Sequence, residues 1–166
     1  VRILIVYSSK TGTTEKAARK LADLLKLETD LTGAKDFGSI DLSRYDAVVV
    51  GSAVRIGSVL KDSKNLVSRN LVQLLERKLA VFLCMGEDKT HLDEYLARSY
   101  PQEFLDACLV KGHFGGEINI DKLGFIMRIL MKKMMKDKEP PKLLEENIEA
   151  FAKEFEEEIA SRRTQQ

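Results

Sequence analysis

Tryptophan is missing altogether, and cysteine, proline and histidine are scarce: two cysteines, three prolines and two histidines in 166 residues. Two cysteines are too few for a disulfide framework, which points to a reducing, cytoplasmic setting. His91 and His113 form no metal-ligand spacing with each other or with Cys84 and Cys108. An excess of one charge sign is missing too. The net charge is +1, so no global field favours nucleic acid. No apolar run nears the ~20 residues of a membrane-spanning helix. The first residues enter a strand pattern at once, without the charged and apolar regions of a signal peptide. Two nucleotide motifs are also absent. There is no G-x-G-x-x-G fingerprint and no G-x-x-x-x-G-K-[ST] loop. The nearest approach, Gly33 to Ser39, lacks the lysine and a preceding buried strand.

What is present is an ordinary globular composition, 44% hydrophobic and 32% charged, in a chain long enough to bury one core. Residues 1–166 read as a single domain. The stretch that organises it is Tyr7-Ser8-Ser9-Lys10-Thr11-Gly12-Thr13-Thr14, led in by Ile3-Leu4-Ile5-Val6 and followed by a helical pattern through Ala17, Ala18, Leu21, Leu24 and Leu25. A strand that breaks into a hydroxyl-rich turn and then enters a helix traps anions. The first helical amides lack internal partners, and the helix dipole adds partial positive charge. Ser9, Thr11, Thr13 and Thr14 add hydroxyl donors, and Gly12 lets the backbone close around a ligand. Mostly neutral donors suit a terminal monophosphate.

Buried strands are expected at 2–7, 46–51, 79–85 and 107–114, with a weaker one at 28–31. Helices are expected at 13–26, 59–77 and 90–99, and a last one from Pro140-Pro141 to about Arg162. Strands alternating with helices give an α/β doubly wound sheet, in which ligands sit beyond the carboxyl ends of the strands at the point where strand order reverses.

The first loop resembles the flavodoxin signature at each defined position: Ile5-Val6, Tyr7, Ser9, Gly12, Thr14 and Ala18. The resemblance implies a flavodoxin-like five-stranded parallel sheet of order 2-1-3-4-5, with FMN as cofactor. Its phosphate would lie on Ser9, Lys10, Thr11, Gly12, Thr13 and Thr14. The isoalloxazine would be held by Ser52, Ala53, Val54, Arg55, Ile56 and Gly57 and by Met85, Gly86 and Glu87. Val54, Ile56 and Met85 offer an apolar slot. Gly57 permits a peptide flip beside the ring, and Arg55 near the ring would favour its anionic reduced form. The cofactor carries the chemistry, so no catalytic side chain is assigned.

The chain departs from electron-carrier flavodoxins in three respects. Neither ring-holding loop carries an aromatic residue, and the net charge is not strongly acidic. A segment is also inserted before the last helix, at about 117–139. From 122 to 138 there are six Lys or Arg and one Asp, together with four of the five methionines. On a helical wheel Leu123, Ile126, Met127, Leu130, Met131 and Met134 share one face, with Lys122, Arg128, Lys132, Lys133 and Lys136 opposite. Phe125 and Ile129 fall among the basic residues. Such a helix either packs on the domain or rests peripherally on an anionic membrane. A Gly-Gly pair followed by a basic, Met-rich helix, together with Gly51 to Gly57, resembles the flavodoxin-type menaquinone-dependent protoporphyrinogen oxidases. That resemblance implies an FMN oxidoreductase acting on a porphyrinogen with a quinone acceptor. Two other readings remain: a soluble flavodoxin electron carrier between redox partner proteins, and a flavodoxin-fold interaction module without FMN.

Overall fold

The computed structural model describes residues 1–117, 124–134, 136 and 141–163. Five parallel strands form the sheet: β1 (Arg2–Ser8), β2 (Glu28–Gly33), β3 (Ala47–Arg55), β5 (Lys78–Cys84) and β6 (Cys108–His113). Their spatial order is β2-β1-β3-β5-β6, and a two-residue strand β4 (Ser58–Val59) pairs antiparallel with the end of β3. The expected order of the parallel strands holds. The addition is β4.

Each central strand buries both faces, so two cores form. Leu4, Val6, Val48, Val50, Val81 and Leu83 point to one side. Ile3, Ile5, Val49, Ala80 and Phe82 point to the other, against α1 (Thr13–Leu24) and α7 (Glu145–Arg163). The first side is covered by α2 (Lys61–Arg69), α3 (Leu71–Leu75), α4 (Leu92–Ser99) and α5 (Gln102–Ala107). A ten-residue helix, α6 (Phe125–Met134), has no buried residue.

Four expectations need correction. The helix expected over 59–77 is two helices. Asn70 separates them, with its side-chain amide donating to the Leu66 carbonyl (2.8 Å) and so competing with the helix backbone. Ser52 to Arg55 is strand rather than loop, because β3 continues into a hairpin with β4. The strand expected from 107 begins at Cys108, since Ala107 closes α5. The last helix does not start at the proline pair. Leu143 bridges antiparallel to Gly115, and α7 begins only at Glu145.

Register brings the functional edge together. Ser8 pairs with Ser52, Ala53 with Cys84, and Leu83 with His113. The carboxyl ends of β1, β3, β5 and β6 therefore lie side by side, and the chain turns to opposite sides after β1 and β3.

Candidate cofactor site

At that edge lies a cavity of about 460 Å³. Its walls come from three separate stretches of sequence that were expected to meet. Lys10, Thr11 and Thr13 come from the first loop, Ala53, Val54 and Arg55 from the end of β3, and Met85, Gly86 and Glu87 from the loop after β5. The volume is in the range that small-molecule and cofactor sites occupy.

The loop between β1 and α1 has the features that anion binding needs. Gly12 caps the helix in the left-handed conformation (φ 93°), and no side chain caps the first turn. The amides there are left for something else. The Gly12 amide donates to Ser9 Oγ (3.0 Å), which shapes the loop. Thr14 is fully buried, and among the described residues neither its hydroxyl nor that of Ser8 finds an oxygen or nitrogen partner, the Cys84 sulfur being the group beside Thr14. Buried hydroxyls are rarely left that way, because desolvation without a partner is costly.

Beside Thr14 sits Cys84. Burial pushes its thiol up to about 12, while the nearby Thr14 hydroxyl pulls it partly back and the charge of Glu117 adds to the rise. At neutral pH Cys84 is a protonated thiol and no nucleophile.

Six expected residues are not in the cavity lining: Ser9, Gly12 and Thr14, which shape the loop behind it, and three at the β3–β4 hairpin that do other work. Ser52 is buried away from the cavity, donating to the Ala53 carbonyl (2.9 Å) and accepting from the Leu60 amide (3.2 Å), so it fastens the hairpin. Ile56 and Gly57 form the hairpin tip, both at positive φ (51° and 68°). The Ile56 side chain points wholly into solvent and lines no wall. The Gly57 carbonyl accepts from Arg98 Nη1 (3.2 Å). Arg98 is itself paired with Glu94 (2.6 Å), so α4 braces the tip.

Beyond the expected residues, Gly116, Glu117 and Pro141 also line the cavity. They flank the insertion, whose chain thus leaves from and returns to the cavity rim. Gly116 packs so tightly that a Cβ there would lie 3.0 Å from the Met85 and Gly86 backbone. The Glu117 carboxylate pairs with Lys16 of α1 (2.9 Å). The loop after β5 is held from behind, with the buried His113 Nε2 lying 3.3 Å from the Met85 carbonyl oxygen. The Gly115-Gly116 pair was the only sequence signal for this wall. Nothing in the sequence marked Glu117 or Pro141.

The model of the flavodoxin domain family matches residues 4–143. The chain belongs to the flavodoxin domain family. FMN is the cofactor that this membership brings. Among curated proteins, the chain is 28% identical over 145 residues to "Protoporphyrinogen IX dehydrogenase [quinone]" of Leishmania major, a match covering 81% of this chain and 62% of that protein. It is 35% identical over 89 residues to the flavodoxin-like domain-containing protein BilS of Clostridioides difficile (strain CD3), covering 52% of this chain and 48% of that one. The chain therefore spans less than two thirds of the length of either curated relative. A flavodoxin from the domain Archaea has the same fold, with a TM-score of 0.53 at 12% identity over 94% of this chain and 99% of that one.

The residues present fit FMN. An uncapped helix start and the buried Thr14 hydroxyl suit its phosphate. The Val54 and Met85 side chains, with backbone at Ala53 and Gly86, suit a flat ring system with one polar edge.

Proposed function

We propose that this protein is an FMN-dependent oxidoreductase of the protoporphyrinogen-oxidising type, passing electrons to a quinone. The observation that carries the flavin part is an uncapped helix start whose loop residues Lys10, Thr11 and Thr13 line the cavity, with the buried Thr14 hydroxyl behind them. Residues 9–14 would hold the phosphate, with Lys10 adding the one cation of that loop. Ala53, Val54 and Arg55, with Met85, Gly86 and Glu87, would hold the ring. FMN supplies the redox chemistry when bound, and the surrounding residues bind it, orient it and shield it from water.

The substrate and acceptor are supported by the similarity to the Leishmania protein. A cavity lined by no aromatic residue among the described residues also differs from the stacked ring expected of an electron carrier. Its ring faces would be left to Val54, Met85 and Pro141, which leaves room for a bulky apolar reactant. A cytoplasmic setting and a single-domain organisation go with this reading.

Two measurements test it. Thr14→Val, nearly isosteric, lowers FMN affinity by about tenfold, as expected for a lost hydrogen bond to a charged group, while Thr14→Ser retains most of it. Titration of FMN fluorescence reads both. Unchanged affinity in Thr14→Val overturns the phosphate assignment. Separately, anaerobic flavin reduction by protoporphyrinogen and reoxidation by a menaquinone analogue tests the reaction. Flavin that exchanges electrons only with small redox proteins favours the soluble carrier instead.

A further inference from the structure

Nine large apolar side chains stand exposed among the described residues, and six of them belong to α6: Phe125, Ile126, Met127, Ile129, Leu130 and Met134. Phe125 and Ile126 are 75% and 79% exposed. The remaining three are scattered at Ile56, Val72 and Leu75. A ten-residue helix that buries none of its residues draws no stability from packing, and scattered single residues need no explanation where a cluster does.

The orientation of α6 can be read from its own exposure. Arg128 and Met131, one turn apart, are the two residues only partly exposed. They mark the less exposed side of the helix. At ~100° per residue, the opposite side carries Ile126, Ile129 and Leu130, with the exposed Phe125 and Met134 on its flanks. Lys133 lies on that arc, Lys136 beside it, and the exposed Lys132 towards its edge. The sequence wheel left Phe125 and Ile129 stranded among lysines. Exposure instead makes them part of the outward surface.

This surface has the chemistry of one occupant. Bulky apolar side chains are mixed with lysines whose stems can lie along a greasy layer while the ammonium groups stay at its polar margin. The described residues from 124 to 136 contain no acidic residue. A surface both apolar and uniformly basic complements the headgroup boundary of an anionic lipid bilayer.

We propose that α6 docks this protein on an anionic bilayer, with Phe125, Ile126, Ile129, Leu130 and Met134 entering the interface and the lysines engaging lipid headgroups. Glu117 and Pro141 line the cavity on either side of the insertion, so docking keeps the cavity rim tethered near the lipid. Access of a lipid-dissolved acceptor to that rim rests on the flavin reading above. The docking itself does not.

The test is flotation of the full chain, with FMN bound, on vesicles of phosphatidylcholine alone or with roughly a third phosphatidylglycerol. Recovery on the anionic vesicles should exceed that on neutral ones by about tenfold or more, and should fall as salt is raised. Ile126→Glu with Leu130→Glu should abolish it, and Lys132→Glu with Lys133→Glu should erase the preference for anionic lipid. These side chains are exposed, so the fold is untouched, and flavin absorbance and melting on the same samples check this. Equal recovery on both vesicle types, no recovery on either, or flotation of the Ile126→Glu/Leu130→Glu protein at the parent level overturns the proposal. So does a dimer in sedimentation that this double variant dissolves while the parent ignores lipid. Flavin retention in any of these outcomes leaves the cofactor assignment standing.

Discussion

Gly51 shows how little room the centre of the sheet leaves. A Cβ there would lie 2.1 Å from Cζ of Phe82, itself fully buried and stacked on Phe114 at 4.3 Å. The ring cannot retreat, because Phe151 meets Phe114 edge-on at 5.1 Å. Gly51→Ala should therefore cost about 2–3 kcal/mol by overpacking, a fall of roughly 5–10 °C in melting temperature. Phe82→Leu in the same chain should recover part of that loss, because the two sites touch. Cys84 makes a second prediction. Its thiol sits above its ordinary value because burial disfavours the thiolate. The folded state thus holds its proton where the unfolded state has released it. That contribution is complete below about pH 9 and drains away as pH climbs towards about 12. Denaturant melts across this range should lose stability more steeply in the parent than in Cys84→Ala. Native Cys84 should also ignore thiol reagents at neutral pH and react on unfolding.

Among the elements, the β3–β4 hairpin was the least legible. Two-residue hairpins of this kind usually advertise themselves with Asn-Gly or Asp-Gly. Here the first turn position is Ile56, at φ 51°, where a β-branched residue is strained. Replacing it should show the cost. Ile56→Asn is expected to raise stability by about 1 kcal/mol, with FMN affinity unchanged within about twofold, because the side chain lines no wall of the cavity. Thermal melts and flavin titration check the two halves. The parallel strands were legible because continuous apolar runs such as Val48-Val49-Val50 have few other homes. The first loop was legible because its chemistry is local. What escaped depended on distant partners. The proline pair suggested a helix start, but Leu143 is taken by Gly115, so the helix waits until Glu145. The wheel of the inserted helix gave an apolar arc, yet only the exposure along the helix, lowest at Arg128 and Met131, decides which side faces out. Of the cavity lining, Gly116, Glu117 and Pro141 come from beyond β6, where spacing in sequence says nothing about proximity.

At the scale of the molecule, the two cores and the carboxyl edge of the sheet are one cooperative object, so filling the cavity should stabilise the whole. With free FMN at about a hundred times its dissociation constant, linkage adds ~2.7 kcal/mol, which is a rise of roughly 5–10 °C in melting temperature. Differential scanning fluorimetry with and without FMN reads it, and Thr14→Val should need more cofactor for the same shift. No described helix is long and apolar enough to cross a membrane, and the docking proposed above uses the exposed surface of α6. The Gly115–Leu143 bridge bears on how such a surface could be acquired. Its two strands of chain meet at the base of the insertion, like the neck of a drawn bag. Because the neck is already tied, the bag can be lengthened, shortened or refilled at small entropic cost, and no strand of the sheet has to shift register. A fold of this design can be re-addressed to a new surface while its cofactor chemistry stays as it was.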